Sequence, residues 1–133
     1  MIGLDTNVLV RYIMQDDPKQ SPKASKLIES LGEPDRGYIG LVAVVELVWV
    51  LSSCYDLSRE QLAMALEAML RTKQFVVEHA DQVVRALRVF KASKADFADC
   101  LIERSASHAG CERTVTFDVD AAKHAGMTLI QQS

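Results

Sequence analysis

At 133 residues, 49% hydrophobic and 25% charged, the chain suits one globular domain with one core, expected over 1–133. The formal net charge of −3 provides no general basic field, which disfavours a broad duplex-DNA binder yet leaves room for an acidic site that holds cations locally. No apolar run reaches the roughly 18 residues that cross a bilayer, and "MIGLDTNVLV" lacks a basic n-region, so a cytoplasmic, non-membrane protein is expected.

In chain order, "MIGLD" (1–5) is a short apolar run ending on an acid and predicts a buried strand. "TNVLVRYIM" (6–14) predicts a helix that Thr6 could cap, and "DDP" (16–18) a turn. Residues 18–32 predict an amphipathic helix with Ala24, Leu27, Ile28 and Leu31 inward, stopped by Gly32. "RGYIG" (36–40) predicts a strand, and "LVAVVELVWVL" (41–51) opens a helix running to about Tyr55. Ser58 and Gln61 have the spacing of a capping box for a helix over 58–71.

"QFVVE" (74–78) predicts a strand, and Asp81 opens a helix with Val83, Val84, Leu87 and Phe90 inward. Residues 96–110 predict a helix with Gly110 as its stop. "RTVTFD" (113–118) is a strand ending on an acid, followed by a short helix (119–126) and a last strand, "TLIQ" (128–131). Short apolar strands alternating with helices predict a parallel sheet covered on both faces. Cys54, Cys100 and Cys111 form no CxxC pair and read as reduced core residues. His79, His108 and His124 are scattered without zinc-ligand spacing.

The chemistry lies in the acids. Ligand sites of open parallel sheets form beyond the carboxyl ends of the strands. Asp5 and Asp118 fall at such ends, Asp96 and Asp99 share one helix face, and Glu46 is alone in its apolar helix. Each acid except Glu46 has an ordinary alternative as a cap or first-turn residue. Glu46 is the exception: an ionised carboxylate in an apolar interior costs several kcal/mol or more without a partner, so either it sits at an opening to water or something outside its helix needs its charge. Two like charges 4 Å apart cost about 4 kcal/mol at an effective dielectric of 20, so converging carboxylates need a raised pKa or a bound cation. Oxygen ligands favour Mg²⁺ or Mn²⁺ over zinc.

"LDTNVLVR", "VVELVWVL", "DFADCLI" and "TVTFD", in that order over nearly the whole chain, resemble the acidic motifs of PIN-domain ribonucleases, in particular VapC toxins of bacterial toxin–antitoxin pairs. The resemblance implies a three-layer α/β/α sandwich with a central parallel sheet. It implies Mg²⁺- or Mn²⁺-dependent cleavage of RNA by in-line attack of an activated water, leaving a 5′-phosphate and a 3′-hydroxyl. By motif position, Asp5, Glu46, Asp99 and Asp118 take the catalytic and metal-holding roles, with Asp96 as an accessory acid. Thr6, Thr116 and Asn7 support the site. Arg11, Lys91, Lys94 and Arg104 are candidates for the RNA path, although each also reads as a solvated surface charge. A cognate antitoxin, docking an apolar segment on the early helices and a basic side chain near the acids, and a second copy of the chain are implied partners; the Trp49 helix and the helix 58–71 with Met64, Leu66 and Met69 offer the second copy apolar surface. Family members often carry Ser or Thr before the Glu helix, where this chain has Gly40-Leu41.

Two rival functions are weighed. An aspartyl-nucleophile phosphotransferase or phosphatase would use Asp5 covalently, but usually has a second Asp two residues on, where this chain has Asn7. A non-catalytic binding module of the same fold, for RNA or protein, need not retain four acids. No "GxxxxGK" phosphate cradle is present.

Overall fold

The computed structural model describes residues 1–131. By its internal contacts the chain divides into two compact units, Met1–Ala80 and Asp81–Ser133. The fold class is α/β, and every strand pair among the described residues is parallel.

In the first unit, β1 (Ile2–Gly3), β2 (Gly37–Ile39) and β3 (Phe75–Val77) form a sheet in the order β1-β2-β3. Its register pairs Ile2 with Gly37 and Gly37 with Phe75. The helices are α1 (Thr6–Met14), α2 (Gln20–Ser30), α3 (Leu41–Ser53) and α4 (Arg59–Arg71). Leu9 and Val10 of α1, Ile28 of α2, Ile39 of β2, and Val44, Leu47 and Leu51 of α3 are buried in the core. A Cβ at Gly37 would stand 2.6 Å from Leu4 Cδ1 and 3.0 Å from Leu31 Cδ1, so a larger residue there would make these buried leucine side chains shift.

The capping box of α4 forms as the sequence spacing predicts: Ser58 Oγ accepts from Gln61 N–H, and Gln61 Oε1 accepts from Ser58 N–H. The start of α3 is closed differently. Its N-cap is Gly40, which has no side chain, and Glu78 beyond the end of β3 accepts the Leu41 N–H through Oε1 at 2.8 Å. Burial, with the Glu78 charge and a hydrogen bond to it, pushes the Tyr38 hydroxyl pKa up.

The second unit holds α5 (Ala80–Ala92), α6 (Phe97–His108), β4 (Val115–Thr116), α7 (Val119–His124) and β5 (Thr128–Leu129), with β4 paired to β5. Phe90 and Phe97 meet edge to face with centroids 5.9 Å apart. Ser105 donates its hydroxyl to the buried Gln82 at 2.9 Å. The end of α6 is a Schellman motif: Gly110 N–H reaches Ser107 O, Cys111 N–H reaches Ala106 O, and Gly110 has a φ of +96°.

Several expectations need correction. The strand at 1–5 is short, and Ile2 and Gly3 are exposed because β1 lies at the edge of its sheet. Asp5, rather than Thr6, caps α1. The α2 helix ends when Leu31 turns extended, one residue before Gly32, and Leu27 points outward. Cys100 is buried, but Cys54 and Cys111 are exposed. The expected parallel pairing holds, with the described strands hydrogen-bonded in groups of three and two. No helix among the described residues is long and apolar enough to cross a membrane.

Removing the remote cap should be measurable. Glu78→Ala is expected to lower stability by about 1 kcal/mol, the usual worth of a helix cap. Gly40→Ser in that background should restore most of it, since the backbone is already extended and a Cβ there would stand at an ordinary 3.8 Å from the Tyr38 ring. Urea melts of the single and double variants check this. No loss in Glu78→Ala, or no recovery on adding Gly40→Ser, removes the capping role.

Candidate active site

The first unit presents two of the predicted acids. Asp5 leaves β1 in an extended conformation and turns the chain into α1, with Oδ1 accepting the Thr6 N–H at 2.8 Å. Thr6 is buried, while Asp5 and Asn7 are exposed. Glu46 is also exposed, so of the two alternatives for this acid it sits at an opening to water. The α3 helix is apolar nearly all round, and its buried stripe is Val44, Leu47 and Leu51, so Glu46 falls on the open side with Val42 and Trp49.

Asp5 and Glu46 line one cavity of about 200 Å³, together with Thr6, Asn7, Arg11 and Tyr55. Arg11 is the cation in this wall, and it is held from three sides. Its Nε donates to Gln20 Oε1 at 2.8 Å, its Nη1 donates to the Tyr55 hydroxyl at 3.2 Å, and Nη1 lies 3.5 Å from Asp16 Oδ1. Tyr55 donates in turn to Asp16 Oδ2 at 2.8 Å. Arg11 therefore enters the cavity as a fixed donor whose charge is already shared with Asp16.

The second unit presents the other three. Asp96 caps α6, its Oδ1 accepting the Asp99 N–H at 3.2 Å. Asp118 caps α7, its Oδ1 accepting from Asp120 and Ala121 N–H. Asp120 is thus a first-turn residue and not the cap. Thr116 steadies this corner, because its hydroxyl accepts the Asp118 N–H at 3.0 Å. Asp99, half-buried, has its carboxyl pKa raised, first by burial and then by the charges of Asp96 and Asp118.

Of the basic candidates, Arg104 is tied to Glu103, which pushes its already high pKa further up. Lys91 lies in the last turn of α5 and Lys94 just beyond it, both exposed. Leu66 and Met69 are core residues of α4, so of the apolar trio offered for an interface only Met64 is on the surface.

The donors in both units are oxygens, which suits a hard divalent cation. Asp99 adds a physical reason for one, since burial and two neighbouring carboxylates oppose its charge and no cationic side chain among the described residues offsets them. Among the described residues, no three acidic, His or Cys side chains are gathered into a group that could hold a metal ion.

Two features were missed from sequence. Glu78 ends a strand on an acid, as Asp5 and Asp118 do, and Gly40 lacks a capping oxygen; together these were the available signal. The Asp16–Tyr55 clamp on Arg11 joins residues 39 apart and left no local trace.

The PIN domain family matches residues 2–127, and the chain belongs to that family, whose members are typically nucleases. The match runs through both units. The chain is similar to the VapC ribonuclease of Aquifex aeolicus (strain VF5), at 25% identity over 114 residues, covering 86% of this chain and 84% of that protein.

The raised Asp99 pKa has a definite sign. The folded state favours the protonated acid, so Asp99's contribution to stability is full below the ordinary carboxylate range and is lost as pH rises through the raised value. In EDTA, Asp99→Asn is therefore expected to melt above the wild type near neutral pH, with the gap closing as both are taken to about pH 3. Parallel melting curves across that range would remove the strain assigned to Asp99.

Proposed function

We propose that the chain is a Mg²⁺- or Mn²⁺-dependent endoribonuclease, with Asp5, Glu46, Asp99 and Asp118 as its catalytic acids and Asp96 as an accessory. The observation that carries this reading is Asp99: a half-buried carboxylate pressed by two others, in a chain of the PIN family, has no offsetting cation of its own among the described residues.

Asp5 and Asp99 are the principal metal-holding residues. Each has a fixed backbone: Asp5 through its cap on α1, Asp99 through the N–H held by Asp96. When bound, the cation supplies polarisation of the phosphoryl group and a more acidic water. Glu46, which is open to solvent, has the proposed role of accepting a proton from the attacking water or orienting it. Asp118 keeps Oδ2 outside its capping bonds, so it retains an oxygen for the site. Thr116 holds the Asp118 backbone through its hydroxyl, and Thr6 and Asn7 add to the wall of the Asp5–Glu46 cavity.

The relationship to a VapC ribonuclease extends the proposal to a role as the toxin of a type II toxin–antitoxin pair, with RNA as substrate and a cognate antitoxin as partner. The exposed Val42 and Trp49 beside Leu41 and Val45 give a second copy of the chain an apolar face to meet.

Cleavage of a total-RNA pool is the test. The wild type should cut with Mg²⁺ or Mn²⁺ and stop in EDTA. Asp5→Asn and Asp99→Asn should fold and lose at least the roughly 10–100-fold that outer-shell partners of a metal contribute. Cutting that survives EDTA, or equal cutting by wild type and variants, defeats the assignment.

A further inference from the structure

Helix α5 carries charge of one sign along its outer side. Gln82, Val83, Ala86, Leu87 and Phe90 are buried, which leaves Arg85, Arg88 and Lys91 exposed on the opposite side at steps of three residues. Lys94, also exposed, continues the row beyond the helix end. Residues 82–95 contain no Asp or Glu, so four of the chain's fifteen Lys and Arg fall within ten residues with no acid among them. Other helices mix their signs. Lys23 and Lys26 of α2 share their helix with Glu29, and Arg71 of α4 lies 3.8 Å from Glu67. Arg85, Arg88 and Lys94 enter no ion pair among the described residues. The helix dipole accounts for Lys91, in the last turn, but not for Arg85 and Arg88, where like charges one turn apart repel by roughly 0.2–0.5 kcal/mol.

We infer that this basic ridge is a track for the phosphate backbone of the RNA strand, leading it to the acids that open α6. The inference rests on the ribonuclease reading above. The ridge runs straight into the acidic corner of the second unit. Lys94 stands two residues before Asp96, the cap of α6, and Asp99 lies in the first turn of that helix. A polyanion is repelled by Asp96, Asp99 and Asp118 until a cation covers them. Cations beside those acids reverse the sign of the local field and draw the strand in. The chain as a whole has a net charge of −3, so such a strand settles where the local charge is positive. The row also has the repeat that this ligand needs. Arg85 to Lys91 spans about 9 Å at about 1.5 Å per residue, and Lys94 lengthens it, so successive phosphates each meet a flexible cationic side chain. Contacts of this kind hold the backbone and read no base, which makes the ridge a source of affinity and register rather than of sequence choice.

The test is fluorescence anisotropy of a labelled single-stranded oligoribonucleotide with the full chain in Mn²⁺, over a series of salt concentrations. An Asp99→Asn parent keeps the probe whole. Adding Arg85→Gln and Arg88→Gln is expected to weaken binding roughly tenfold at about 0.1 M salt. It should also reduce the slope of log K against log salt by about 1.4, the share of two phosphate contacts on a single strand. Arg85→Lys with Arg88→Lys keeps the charge and should bind as the parent does. Arg71→Gln with Lys73→Gln removes the same charge at the end of α4 and should change neither quantity. With Asp99 restored, the Gln pair should raise KM for the oligonucleotide and leave kcat as it was. Equal affinity and slope in the Gln pair and the parent overturn the track. So does an equal loss in the α4 control, which would reduce the effect to net charge, and so does a loss that the Lys pair shares. Loss of binding to a labelled oligoglutamate with RNA affinity intact also overturns it, by assigning the ridge to an acidic protein segment. Should the wild type bind RNA through the ridge yet cut it in neither Mg²⁺ nor Mn²⁺, the ribonuclease reading falls and the track stands.

Discussion

A carboxylate at a helix N-terminus is the interaction on which this arrangement depends. Asp5, Asp96 and Asp118 each turn one oxygen onto the N–H groups that open α1, α6 and α7. Such caps are worth about 1 kcal/mol each, and the partial positive charge of the helix end favours an acid there. The cap orients the side chain with energy drawn from the fold, and it occupies only one oxygen of two. The structural and the chemical readings of these acids are therefore compatible. A residue kept for helix stability can face outward with its other oxygen.

Asp99 and Glu46 are the two acids with no such support. Asp99 sits inside the first turn of α6, close enough to Asp96 and Asp118 for their charges to oppose its own. Glu46 stands on the open face of α3 and is solvated there. The first is opposed by burial and by two neighbouring charges, and the second stands open to solvent. A cation would relieve the first and merely recruit the second.

Much of the fold was legible locally. The α1 boundaries, the Ser58–Gln61 box, the Gly110 stop and the parallel order of strands all follow from short-range signals: cap chemistry, glycine and the apolar period. The PIN resemblance rested on four motifs and proved to be the family of the chain. What escaped was of two kinds. In α3 nearly every residue is apolar, so no periodic contrast tells which face is inward, and the choice between a buried and an open Glu46 has no local signal. The other kind is long-range pairing. Glu78 closing α3, or Tyr55 and Asp16 holding Arg11, joins positions that only the folded chain brings together. Cys54 and Cys111 belong with the first kind, because cysteine resembles a small hydrophobe in sequence and carries no mark of its depth.

Trp49 gives the open side of α3 an optical property. It is the sole tryptophan of the chain, it is 62% exposed, and with Glu46 it lines a hollow of about 520 Å³. Indole emission from this protein thus originates at one spot, a single helical turn from the glutamate. Whatever settles on that face, be it polypeptide, polynucleotide or a sister chain, must dim, brighten or shift that light without any dye being attached.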